Sequence, residues 1–496
     1  MTVPQLLQPL IEICTDRPDQ RYRTIRDLNR YSDTPANTMR SQASLSGYSC
    51  ILLLFVINLL SGCSRYAKIE NDALGQTPVG ESYRLAEHHR YHDLGDVLIM
   101  LAFSGGGTRA SALSYGVLKA LRDTPVISNG EQIRLLDEVD RISSVSGGSF
   151  TAAYYGLYGD GIFEDFEAVF LRKNVQGALT RQLFNPFDVT KRLFIGESHS
   201  EIAVHYYDKH IFRGSTFANI RREGPFIFIN ASDMEAGEQF VFFQDSFDLL
   251  CSDLNTFKIA RAVTASSAVP VVFDPIVLDN HETCSVEKSK WLLSAESASR
   301  KNLRLKSTVS ALDSYFDKEN RRYIHLVDGG ITDNLGVRPL YTNLSAVGDI
   351  ETIGRLLDVK IPSQVLFVVV DASTDRKSGI GLSKKAPDIK KTISLVTNAQ
   401  LHRYNTETVE LVKDSMKKWS KSTGSTDHPI NTYFVRISLD DTPDPKQREF
   451  FQNIPTSFSL TDEQVDGLIA VGGRLLRKNP EYRRLLEALN STSSAD

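Results

Sequence analysis

Long apolar runs that stop abruptly at glycine organise this chain. Val97–Phe103 is unbroken by any polar residue, as expected of a strand buried on both faces, and it halts at Ser104-Gly105-Gly106-Gly107. Beyond the glycines, Ala110, Leu113, Val117, Leu118 and Leu121 recur at helical spacing. The run Arg141–Val145 ends at Ser146-Gly147-Gly148, and Ser149 to Tyr155 then read as the start of a helix. Tyr323–Val327 ends at Asp328-Gly329-Gly330, and Val365–Val370 is a further buried strand. Late in the chain, Asp388 to Trp419 reads as a long amphipathic helix and Thr432–Ile437 as a strand. Thr461-Asp462-Glu463-Gln464 is a capping box opening a helix that runs through Leu476. Buried strands alternating with helices predict an α/β fold with helices on both faces of the sheet.

The chemistry gathers where the strands end. A serine between strand and helix, followed by small residues, fits a nucleophile elbow. There the helix N-terminus aims free N–H groups and partial positive charge at a developing oxyanion. Consecutive glycines let an oxyanion approach the backbone closely; alternatively they only turn the chain. A phosphate loop of the Walker or dinucleotide type is excluded, because neither the Gly-Lys-Ser/Thr ending nor G-x-G-x-x-G is present. A strand-end aspartate beside glycine is either a turn former or a site residue. Together the three segments supply an oxyanion hole, a nucleophile and a base.

Taken together, Gly105-Gly106-Gly107-Thr108-Arg109, Ser146 with Gly147-Gly148, and Asp328-Gly329-Gly330 resemble the patatin-like phospholipases. That family carries a G-G-G-x-R loop, a G-x-S-x-G elbow and a D-G-[GA] turn in this order. Phe226–Asp233 followed by Gly237-Glu238 is similar to the family's central strand and hairpin. Ala265-Ser266-Ser267-Ala268-Val269-Pro270 is similar to its A-S-x-A-x-P segment. The resemblance covers about Asp96 to Asp371, with a weaker likeness at Ile454–Leu460. Ser144 stands where the elbow has glycine, and Ala110 where the loop often has one.

The resemblance implies a three-layer α/β/α sandwich with a mostly parallel central sheet and C-terminal helical additions. It also implies a serine hydrolase acting on glycerolipid or phospholipid esters through a Ser146 acyl-enzyme. Asp328 is then the general base, Gly105, Gly106 and Gly107 form the oxyanion hole, and Arg109, Gly147, Gly148, Gly329 and Gly330 support the site. Arg109 either orients the glycine loop or meets a phosphate headgroup. An acyltransferase or thioesterase using the same dyad, and a catalytically silent lipid-binding lipoprotein, are the alternatives. A Ser-His-Asp triad needs a histidine after the acid, and only His402, within a helix, and His428, in a polar stretch, follow Asp328. The ten histidines show no metal-binding spacing, so neither metal nor cofactor is expected.

A second informative segment is Cys50–Leu60, an apolar run of eleven residues. A bilayer span needs about 20 residues. The run fits the hydrophobic region of a signal peptide and leads into Leu60-Ser61-Gly62-Cys63, which resembles a bacterial lipobox with Cys63 as the lipidated residue. Met39-Arg40 has the position and charge of a signal-peptide start. Residues 1–38 then form an upstream extension or a polar tail, and residues 39–62 the signal peptide. Residues 63–95 are expected to be a polar tether, 96–375 the hydrolase domain, and 376–496 a mainly helical extension packing on the core. Within the domain, 279–322 is a charged insertion, a candidate lid or lipid-access surface.

Composition narrows the field. The net charge of −4 over 496 residues, without a basic patch, argues against nucleic-acid binding. A slightly acidic chain is not drawn to anionic lipid, so membrane contact is expected through the anchor. The expected location is the bacterial cell envelope, at the outer membrane facing the periplasm, since Ser64 rather than aspartate follows Cys63. Cys251 and Cys284 allow one disulfide there. The oligomeric state is not legible.

Overall fold

Among the described residues, ten strands and their helices build the fold of the computed structural model. It describes residues 67–75, 82–88, 95–128, 131–184, 198–270, 272–284, 288, 290–300, 302–341, 362–374, 379–422 and 430–492. The strands are β1 (Val97–Phe103), β2 (Pro125–Ser128), β3 (Glu131–Arg134), β4 (Val139–Val145), β5 (Phe226–Asp233), β6 (Glu238–Phe242), β7 (Ile276–Asp279), β8 (Tyr323–Asp328), β9 (Gln364–Asp371) and β10 (Asn431–Ser438). β2 and β3 form a separate hairpin; the other eight form one sheet, ordered β10-β9-β1-β4-β5-β8-β7 with β6 also on β5. The pairs from β10 to β5 are parallel, and those of β5 with β6, β5 with β8, and β7 with β8 are antiparallel. Every residue of β1, β4, β5 and β9 is buried, which explains the unbroken apolar runs of β1 and of Val365–Val370 in β9.

Helices cover the sheet. We label α1 (Thr108–Arg122), α2 (Gly147–Tyr158), α3 (His199–His210), α4 (Ile259–Ser266), α5 (Lys290–Ser299), α6 (Leu303–Ser314), α7 (Ile389–Ser422), α8 (Asp462–Lys478) and α9 (Pro480–Thr492). The capping box forms as the sequence predicts: the Thr461 hydroxyl accepts from the Gln464 N–H, and the Gln464 side chain accepts from the Thr461 N–H. α8 packs along α1.

Three expectations change. Residue 376 does not begin an appended layer: β10 pairs with β9 from Asn431 to Ser438, so the C-terminal region completes the sheet. The expected tether is in its described parts a strap fastened to the body. Tyr83 is fully buried, stacks on Phe226 at 4.3 Å and bonds the Ile227 backbone, while Asn71 donates to Ser252 and to the Asp279 carbonyl. Glu70 reaches the buried Arg261 of α4, which also clasps Glu201 of α3. Within the insertion, α5 and α6 share a small apolar cluster of Leu292, Ala295, Leu305 and Val309. Ser307 bonds Glu238, the Tyr315 hydroxyl donates to Asp233 at 2.8 Å, and Arg321 pairs with Asp233, so the hairpin is tied to β5 and β6. Cys251 and Cys284 are joined by a disulfide. Residues 1–63, with the signal peptide and Cys63, lie outside the described residues. Among the described residues no helix is long and apolar enough to cross a membrane.

Candidate active site

The register of β5 brings Ser146 and Asp328 together. On one edge of β5, β6 pairs with residues 229 to 233. β4 pairs with β5 up to Val145 opposite Asn230, and β8 begins with Asp328 opposite Ala231. Since β6 holds one edge, β4 and β8 share the other and meet end to end from opposite directions. Their last residues face consecutive positions of β5, a step of roughly 3.3 Å. Gly329 fills the seam: a Cβ there would lie 2.3 Å from the Asn230 carbonyl oxygen and 3.2 Å from Val145.

Ser146 is held at φ 51°, the left-handed region that non-glycine residues seldom occupy. It caps α2, so the positive end of that helix lies at its side chain. The Asp328 carboxylate accepts from the Gly330 N–H at 2.8 Å, and the Ser146 hydroxyl lies beside it. Burial pushes the Asp328 pKa up to about 6, against the opposing pull of the Gly330 N–H and the Ser146 hydroxyl. Ser144, in place of glycine, donates its hydroxyl to the Phe228 carbonyl at 2.9 Å and so fits the strand.

The glycine loop lies against the elbow. A Cβ on Gly147 would stand 2.0 Å from the Gly107 oxygen, so only glycine admits this approach. Gly106 and Gly107 have φ of 142° and 61°. Among the described residues their N–H groups have no hydrogen-bond partner, whereas those of Gly105 and Thr108 donate to the Asn334 and Ser457 carbonyls. Gly105 differs from the expectation: its N–H donates to the Asn334 carbonyl at 2.9 Å and is unavailable to an oxyanion. Arg109 is settled by its partners. It is buried and donates to the Ala372 and Ile454 carbonyls at 2.8 and 2.6 Å and to the Thr456 hydroxyl at 3.0 Å. Burial pulls its pKa down to about 10. Its guanidinium therefore fastens α1 to the end of β9 and to the 454–456 segment, and the headgroup option falls.

The histidines stay apart from this arrangement. His402 Nε2 faces the Thr374 carbonyl at 3.4 Å, and His428 lies outside the described residues. Among the described residues no cluster of His, Cys, Asp and Glu could hold a metal. A cavity of about 410 Å³ adjoins the Asp328 turn, lined by Ser232, Glu238, Val327, Ile331, Thr332 and Arg338 among others, and Ser146 is not on its wall. Two contributors carried no sequence signal of their own. Asn230 donates to the Ser143 hydroxyl and the Ser144 carbonyl, and Asn334 holds Gly105.

The mostly parallel sheet flanked by helices, with a strained serine on a strand-to-helix turn beside a buried carboxylate, has the arrangement of the patatin-like α/β fold. Residues 101–341 match the family model for patatin, described as patatin-like phospholipase. No curated protein sequence matches the chain. Among solved structures, human GIVD cytosolic phospholipase A2 is 13% identical with a TM-score of 0.41; the match covers 81% of this chain and 63% of that one. VipD from Legionella pneumophila is 13% identical with a TM-score of 0.30, over 87% of this chain and 73% of that one.

Proposed function

We propose that this protein hydrolyses acyl esters of glycerolipids, phospholipids or lysophospholipids first, through a Ser146–Asp328 dyad. The observation that carries the reading is the seam between β4 and β8, which sets the Ser146 hydroxyl beside a buried carboxylate. Asp328 takes the proton as Ser146 Oγ attacks the ester carbonyl. The N–H groups of Gly106 and Gly107, with the N-terminus of α2, face the developing oxyanion. Collapse expels the alcohol, which leaves with the proton from Asp328. Water then attacks the acyl-enzyme, gives its proton to Asp328, and the serine departs with that proton as the fatty acid is released. A carboxylate near its ordinary pKa is a weak base for a hydroxyl; burial makes Asp328 a stronger one.

Two measurements test this. A fluorophosphonate should form its adduct on Ser146, and an adduct on another serine with Ser146 unmodified refutes the assignment. The pH profile of kcat/KM should fall about tenfold per unit below roughly pH 6, because Asp328 must be ionised to act as base. A flat profile from pH 7 to 4 in the folded enzyme removes Asp328 from that role.

The proposal includes the cell envelope. The lipobox-like Leu60–Cys63 supports an N-terminal lipid anchor, and the Cys251–Cys284 disulfide suits an oxidising compartment such as the periplasm. Cys63→Ser should leave an unprocessed precursor without acyl mass. Intact-mass analysis of the membrane fraction checks this, and a mature N-terminus upstream of Cys63 overturns the anchor.

A further inference from the structure

The seam between β4 and β8 leaves a gap in the β-ladder, and one side chain fills it. Ser266, the last residue of α4, is fully buried. Its hydroxyl donates to the Asn230 carbonyl at 2.6 Å, the carbonyl that lies where β4 stops and β8 has not yet begun. With its single proton committed there, the hydroxyl is an acceptor in its other two contacts. It receives the Ser146 N–H at 2.9 Å and the Ser149 hydroxyl at 3.0 Å. The Ser266 carbonyl in turn accepts the Gly329 N–H at 3.1 Å, immediately after Asp328.

We infer that Ser266 is the positioning residue of the dyad: its hydroxyl fixes the nucleophile's backbone while its carbonyl fixes the turn that follows the base. The inference rests on the dyad reading above. Ser146 occupies a conformation that a non-glycine residue keeps only when its surroundings impose it. Its N–H is moreover one of the helix-end donors that α2 cannot satisfy internally. The Ser266 hydroxyl answers both needs, and it excludes the Ser146 N–H from the oxyanion hole. Because Ser266 also anchors Gly329, movement of α4 displaces both members of the dyad together. It therefore preserves their spacing, which independent supports would not do.

Ser266→Ala removes the acceptor and leaves the Ser146 N–H and the Asn230 carbonyl buried without this partner. On a soluble acyl ester, kcat should fall by on the order of 10- to 100-fold with KM within about twofold, as expected for a displaced nucleophile. The acid limb of the pH profile should move upward, because the Ser146 hydrogen bond that holds the Asp328 pKa down is weakened. A residue that only stabilised the fold would change the melting temperature and leave that limb in place. Where Ser266→Ala does not fold, Ser266→Cys keeps the volume, lacks a strong acceptor and gives the same two readouts. A kcat within about threefold of the unmodified enzyme, or an unmoved acid limb, overturns the assignment. Ser146→Ala run alongside separates the two failures. Turnover by that variant sinks the dyad itself, whereas an inactive Ser146→Ala beside a normal Ser266→Ala sinks only the role of Ser266.

Discussion

Ser146→Ala and Asp328→Asn should each lower ester turnover by roughly four orders of magnitude or more, and the double variant should be little worse than either. The non-additivity follows from the site: an unattacking serine makes the base irrelevant, and the reverse. Asp328→Asn should also be the more stable protein above pH 6. The native state raises the Asp328 pKa from 3.8 to about 6, so it resists the ionised form. Stability associated with this group is fully present below the unfolded pKa near 4 and is lost as pH rises through about 6. Asparagine does not ionise and escapes that loss. A shift of about two units bounds the gain at about 3 kcal/mol, reached above pH 6 and absent below about 4. Urea melts at pH 8 and pH 4, beside turnover assays, read both effects. Turnover by either single variant within about tenfold of the unmodified enzyme defeats the dyad.

Arg261→Met should cost about 3–5 kcal/mol, because it leaves a buried carboxylate unpaired. Arg261 grips Glu201 through both terminal nitrogens, at 2.8 and 2.7 Å, and Glu70 of the strap through Nε at 2.8 Å. Removing the guanidinium leaves the buried Glu201 carboxylate without its charge partner. Replacing Glu201 as well should recover much of the loss, since a matched apolar pair tolerates burial. Glu70→Gln should cost far less, because Glu70 is more exposed and keeps Lys68 nearby. Chemical denaturation of the four proteins decides this, and a single-variant cost below about 1 kcal/mol counts against it.

How much was legible follows from physics acting at different ranges. β1 and β9 could be read because burial on both faces demands unbroken apolar runs, and glycine after β1, β4 and β8 marks where each yields to a turn. The seam could not be read: Tyr323–Val327 looks the same whether β8 lies parallel or antiparallel, and only its pairing with Ala231–Asp233 fixes the direction. Arg109 was ambiguous because its partners, Ala372, Ile454 and Thr456, lie hundreds of residues away. The strap was missed because Tyr83 and Asn71 hold it by one stacked ring and a few hydrogen bonds, with no periodic stripe to mark them. Gly105 was assigned by its neighbours' role; only the Asn334 carbonyl, brought in by the turn after Asp328, shows its N–H to be occupied.

The meeting of β4 and β8 makes β5 a ruler for the active site. The spacing of Ser146 and Asp328 is counted off in peptide units along one strand, and the segment that joins β5 to β8 in sequence has no part in setting it. The α5–α6 hairpin can therefore vary in length over evolution without resetting that spacing, provided β8 keeps its register and Asp233 keeps its partners Tyr315 and Arg321. Within Tyr323–Asp328 the opposite holds: deleting a single residue turns the carboxylate to the other face of the sheet. The chain thus separates a segment free to be remodelled for new substrates from six residues in which even one cannot be lost.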